Sequence, residues 1–292
     1  MPYKIMSLSE LKACARKMGL EYNEDDVSRD IFTVASLPDQ QFKTYQLARL
    51  FEAGELVVVF APQKTGKSLL VVDMLLTLVG GGNFGDRLEA HEKVFCLLVD
   101  AEMPGHKIRE RLNNFSTVHP DGVDSLSIIP LRDSGRCLNL LDAKDQDWLY
   151  SRIKECGAKV VALDNLGKLV PANRESKPET WRILEKWLRG LNKEGITTIL
   201  VHHANKTGDI RGTGKISDDA DLVISLSRPD GWDRSKGTAI DFEIVDSRNL
   251  YGDDLIPFTV VYSGEGGGFS QGGIVRCSRS RSRRHGDHGR GS

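Results

Sequence analysis

Little in these 292 residues belongs to a secreted or membrane-bound protein. The five cysteines (Cys14, Cys96, Cys137, Cys156 and Cys277) are scattered, odd in number and contain no C-x-x-C pair. That excludes a disulfide framework and a zinc site of the usual spacing, and fits a reducing compartment. No apolar run approaches the ~18–20 residues of a membrane span, and the first residues, MPYKIMSLSELKACARK, lack the apolar core of a signal peptide. A cytoplasmic protein with no membrane partner is therefore expected. Charge of one sign is also missing: the formal net charge is −1, so any hold on nucleic acid has to come from local patches. One such patch is the end of the chain, where Arg276, Arg279, Arg281, Arg283, Arg284 and Arg290 face a single acid, Asp287.

What is present is alternation. ELVVVF (55–60), KVFCLLVD (93–100), KVVALD (159–164), TTILVH (197–202) and DLVISL (221–226) are near-continuous apolar runs, the pattern of strands covered on both faces. Helical periodicity falls between them at 67–80, 104–115, 143–156 and 178–193. Trp181, Leu184, Trp187, Leu188 and Leu191 share a face of the last helix, which makes the tryptophans core residues rather than a stacking platform. The expected fold is α/β, a doubly wound, mostly parallel sheet flanked by helices, with ligands beyond the carboxyl ends of the strands. AIDFEIVDSRN (239–249) and IPFTVVYS (256–263) read as a late antiparallel pair. The expected organisation is a helical lead-in over 1–50, a core over 51–263 and a disordered Gly/Arg/Ser-rich tail over 264–292.

Between the first strand and the first helix lies Ala61, Pro62, Gln63, Lys64, Thr65, Gly66, Lys67, Ser68 and Leu69. A strand, a glycine-containing turn and a helix in this order aim backbone N–H groups and the positive helix end at phosphates. Lys67 is placed to reach the β- and γ-phosphates of ATP, and Ser68 to hold Mg²⁺. Ala61 stands where the pattern has glycine; Pro62 favours an extended conformation there, which a strand exit accepts. Asp164 ends a buried strand about a hundred residues later and is the expected Mg²⁺-organising acid. Glu102, just past a strand end expected beside the loop, is the candidate to polarise water, with Asp100 as a cap. His202 and His203 close the fourth strand on opposite faces, so one of them is expected at the nucleotide.

APQKTGKS, LLVDAEM, VVALDN, ILVHHANKTG and RGTGKISDDADLVISLSR together resemble the RecA-like P-loop ATPases. Within that group they are most similar to the RepA-type hexameric replicative helicases of plasmids and phages, over about residues 50–250. The resemblance implies Glu102 as catalytic carboxylate, His202 or His203 as γ-phosphate sensor, and an arginine donated by a neighbouring subunit. RGTGKISDDADLVISL points to Arg211 for that arginine, and VDSRN, with Asp246 in place of the family lysine, points to Arg248. It further implies a homo-oligomer, a hexamer with ATP at subunit interfaces, and single-stranded DNA against loops 165–179 and 204–219. Those loops offer Lys168, Arg174, Lys177, Lys206, Arg211 and Lys215 but no aromatic platform. A recombinase or regulatory filament ATPase, and a nucleotide-dependent binding module with little hydrolysis, fit the same residues.

Overall fold

Apolar runs with no polar face can only be central strands, and the chain uses them so. In chain order, β1 (Leu56–Ala61) leads into α1 (Lys67–Gly80), and a small hairpin of β2 (Gly82–Phe84) and β3 (Leu88–Ala90) precedes β4 (Cys96–Asp100). There follow α2 (Gly105–Asn113), β5 (Ser127–Pro130), α3 (Ala143–Glu155), β6 (Val160–Asp164), α4 (Pro178–Lys193), β7 (Thr197–His203) and β8 (Leu222–Ser227). The last strands are β9 (Thr238–Ser247), β10 (Phe258–Ser263) and β11 (Ser270–Arg276). This computed structural model describes residues 50–84, 88–90, 92–172, 174, 177–204, 215–263 and 270–276. The expected lead-in over 1–50 lies outside the described residues except for Leu50, and so does the tail beyond Arg276.

One nine-stranded sheet runs in the order β11-β10-β9-β8-β1-β7-β6-β4-β5. From β8 to β5 every pairing is parallel, and β9, β10 and β11 are added antiparallel. This is the doubly wound α/β sheet that alternation implies. Two expectations are corrected. β4 does not lie beside β1, because β7 and β6 come between; Glu102 therefore reaches the loop across two strand ends. Ser270–Arg276, expected in a disordered tail, pair as a strand with β10. An open sheet edge offers unpaired backbone groups to a following segment whatever its side chains, and composition alone does not register that.

The faces are covered by different helices. Val57, Val59, Ala61, Ala162, Ile199 and Val201 pack with Leu70 and Met74 of α1 and Ile108 of α2. Val58, Phe60, Leu163 and Leu200 pack with Leu149 and Ile153 of α3 and with Trp181, Leu184 and Leu188 of α4. Trp181 is buried, and its indole N–H donates to Asp219 Oδ2 at 2.6 Å. Trp187 packs against the same core. Both tryptophans are thus structural.

Inside the α1 face sits a polar knot. Asp73, fully buried on α1, lies 2.6 Å through Oδ1 from His119 Nε2 and accepts at Oδ2 from the Tyr262 hydroxyl at 2.8 Å. Burial and the Asp73 charge push the Tyr262 hydroxyl well above its ordinary pKa, so it stays a donor. Removing one member of such a set takes a buried hydrogen bond from the others in a dry place. Asp73→Ala is therefore expected to lower stability by about 3 kcal/mol, read as a shift of the urea midpoint at unchanged slope.

Candidate nucleotide site

Register brings the site together. Asp100 pairs with Asp164 and Asp164 with Val201, which pairs with Val59, and two residues further Ala61 pairs with His203. The carboxyl ends of β4, β6, β7 and β1 thus finish almost level, and alternation puts Asp164, His203 and Ala61 on the α1 face. His202 points the other way into the fully buried core. The chain then turns tightly. Thr65 Oγ1 donates to Pro62 O at 2.8 Å, Lys64 has φ 61° and Gly66 φ 108°. A Cβ on Gly66 would sit 2.6 Å from the tip of the Ile240 side chain, but it is the backbone conformation that calls for glycine. Ala61 is fully buried and extended within β1, which shows why a side chain is tolerated there.

Lys67, only 6% exposed, folds back on its own loop, with Nζ 3.4 Å from Ala61 O and 3.2 Å from Pro62 O. Its third neighbour is His203 Nδ1 at 3.2 Å. Burial lowers the Lys67 pKa, while Asp164 and Glu102 pull it back toward the charged form. Ser68 hydrogen-bonds the Asp164 carboxyl, and burial raises that carboxyl to about 6. Asp164 is 2% exposed, and its Oδ1 has no hydrogen-bond partner. An orphaned carboxylate oxygen beside a hydroxyl is the donor set a hydrated Mg²⁺ takes. Among the described residues no group of three or more His, Cys, Asp or Glu could hold a metal.

Asp100 fills the capping role: its Oδ1 accepts from the backbone N–H of Glu102 at 2.8 Å and of Met103 at 2.7 Å. This turn lifts Glu102 to the cavity, where Oε1 lies 3.6 Å from His203 Nε2. The His203 contact, ahead of the opposing effect of burial, holds the Glu102 pKa below its ordinary value. Between them stands Asn165, 1% exposed, with Nδ2 at 2.5 Å from Glu102 Oε1 and 3.1 Å from His203 Nε2.

Gly66, Lys67, Ser68, Glu102 and His203 border a cavity of about 530 Å³, lined also by Gln63, Lys64, Leu69, Arg111, Arg228 and Thr238. That is room for a nucleotide-sized ligand. Arg228 Nη2 donates to Lys64 O at 2.7 Å. Sequence reasoning missed Asn165, Arg111 and Arg228. Arg228 directly follows β8, next to β1, so the strand-end rule could have found it; Arg111 lies on α2 and carries no such signal. Arg248 lies elsewhere, at the amino end of β8, with Nη1 3.1 Å from Asp221 Oδ1. Arg211 and Lys206 lie outside the described residues, whereas Lys168, Arg174, Lys177 and Lys215 are exposed.

The family model described as the AAA domain matches residues 36–209, more than half of the chain. Among solved structures, the crystal structure of a KaiC-like protein from the hyperthermophilic archaeon Pyrococcus horikoshii OT3 superposes with a TM-score of 0.55. The two are 15% identical, and the match covers 77% of this chain and 91% of that one. No curated protein matches the sequence. Among the described residues no helix is long and apolar enough to cross a membrane.

Asp164 supplies a direct test of the site's electrostatics. A carboxyl whose folded pKa is raised destabilises the fold where it must ionise: the penalty is absent below pH ~4 and complete above pH ~6. Without nucleotide or metal, Asp164→Asn should raise the melting temperature at pH 8, and the gain should vanish as pH falls to about 4. Mg²⁺ should narrow the gap at pH 8 by stabilising only the parent protein.

Proposed function

Because the chain belongs to the AAA domain family and has the RecA-like P-loop ATPase fold, we propose that it is a Mg²⁺-dependent ATPase that works as an oligomer on DNA. The observation that carries the reading is the convergence of Lys67, Ser68 and Glu102 on one cavity, with Asp164 hydrogen-bonded to Ser68. The Lys67 ammonium rests on carbonyl oxygens of its own loop; phosphate oxygens, being charged, are the stronger acceptors and would draw it outward. Ser68 and Asp164 would hold Mg²⁺, which would supply charge neutralisation at the phosphates. Glu102, kept ionised by its neighbours, takes a proton from the attacking water. Arg111 and Arg228 add positive charge to the cavity wall.

Completion by a neighbouring subunit is part of the proposal. Arg248 sits at the end of the sheet away from its own loop, so it can serve only another subunit's site, and there it would first have to leave Asp221. Arg211 is the preferred donor. The oligomer is a ring, a hexamer, and the exposed Lys168, Arg174, Lys177 and Lys215 face single-stranded DNA in a replicative helicase or related motor.

Lys67→Ala should abolish phosphate release, and Glu102→Gln should lower kcat by about 10²-fold or more while nucleotide still binds. Specific activity should rise with protein concentration as subunits assemble, and Arg211→Ala should remove turnover yet keep nucleotide affinity. Full hydrolysis by the Arg211 variant would sink its assignment. Single-stranded DNA should stimulate phosphate release, with binding that weakens as salt rises; no stimulation together with salt-independent binding leaves the ATPase but not the DNA motor.

A further inference from the structure

The contacts of His203 contain a conflict of hydrogen-bond roles. An ammonium can only donate, so the Lys67 Nζ contact at 3.2 Å makes His203 Nδ1 an acceptor. The neutral ring then carries its proton on Nε2. That N–H has Glu102 Oε1 at 3.6 Å, beyond a normal hydrogen bond, and its nearer neighbour is the Asn165 amide at 3.1 Å, whose NH₂ group is committed to Glu102 Oε1 at 2.5 Å. Donor meets donor. Turning the amide over only moves the conflict, since its oxygen would then oppose the Glu102 carboxylate. With Lys67 in this position, Glu102 and His203 cannot both be satisfied by Asn165.

A triphosphate removes the conflict. Once Lys67 moves to the phosphates, His203 Nδ1 loses its donor and faces an acceptor, the γ-phosphate oxygens. The ring then carries its proton on Nδ1, having exchanged the Nε2 proton with water. Nε2 becomes an acceptor for one Asn165 N–H, while the other N–H stays on Glu102. Only an NH₂ group supplies two donors from one atom at such a fork.

We propose that Asn165 is a positioning residue that couples γ-phosphate occupancy to Glu102 through a change of tautomer at His203. The proposal rests on the reading of this cavity as a nucleotide site. Asn165 acts through Glu102 and touches neither phosphate nor water. The chain γ-phosphate–His203–Asn165–Glu102 closes with triphosphate bound and opens with diphosphate, so the base is held in its working orientation only when there is a bond to break.

Two-bond ¹⁵N–¹H spectra of the full chain labelled at histidine report the tautomer, with His203→Asn assigning the signal. The ligand is the Mg²⁺ complex of the ATP analogue with an imido bridge between the β- and γ-phosphates, its binding measured in the same samples by calorimetry. The Nε2–H form is expected without nucleotide, and the Nδ1–H form with the analogue. An unchanged tautomer in protein that calorimetry shows to be loaded overturns the proposal alone. No binding by calorimetry overturns the nucleotide reading and this proposal with it. Asn165→Asp, of equal shape but without donors, should keep the Nε2–H form with analogue bound. It should lower kcat by about tenfold or more while analogue affinity changes by less than about threefold; wild-type kcat in that variant also overturns the proposal.

Discussion

A parallel sheet has to bury the groups gathered at the carboxyl ends of its central strands, and some of those here are charged or chargeable. Lys67 and Asp164 are almost fully enclosed, where water cannot solvate them and each must find a partner. The arrangement around them follows from that constraint. Loop carbonyls and a histidine receive the ammonium, a serine hydroxyl meets the carboxyl, and one carboxylate oxygen is left bare. Lys67 thus rests on neutral acceptors and Asp164 keeps one oxygen without a donor. A magnesium–phosphate complex would offer each of them a charged partner.

The sheet positions these groups through its order as much as its register. β1 lies between β7 and β8, so the loop receives His203 from one side and Arg228 from the other. β4 stands three places from β1, and its contribution arrives only because Asp100 turns the chain back toward the centre. Glu102 is thus aimed by a cap and by Asn165, not by its strand.

Much of this was legible because its causes are local. The strands announce themselves by unbroken β-branched runs, and the loop by Gly66, Lys67 and Ser68 between a strand and a helix. Alternation alone separates His203 from His202. Other features depend on partners distant in sequence. Asn165 looks like any residue after a strand until β7 brings His203 beside it. β5 is four half-buried residues with no apolar run to mark it, and β11 is held through backbone pairing that composition cannot show. Strand adjacency misled for the same reason: sheet order belongs to the whole chain, not to any segment of it.

The buried knot of Asp73, His119 and Tyr262 bears on how the loop keeps its aim. Oily contacts are forgiving about angle, and a helix resting on them alone can roll by some degrees at little cost. Hydrogen bonds are not forgiving. Asp73 stands on the second turn of α1 and is gripped on both carboxylate oxygens by groups from two other parts of the chain. The helix is indexed like a keyed shaft: a roll large enough to misdirect the N–H groups at its tip would first shear the key. Three side chains remote from the nucleotide thereby set the bearing of the phosphate cradle.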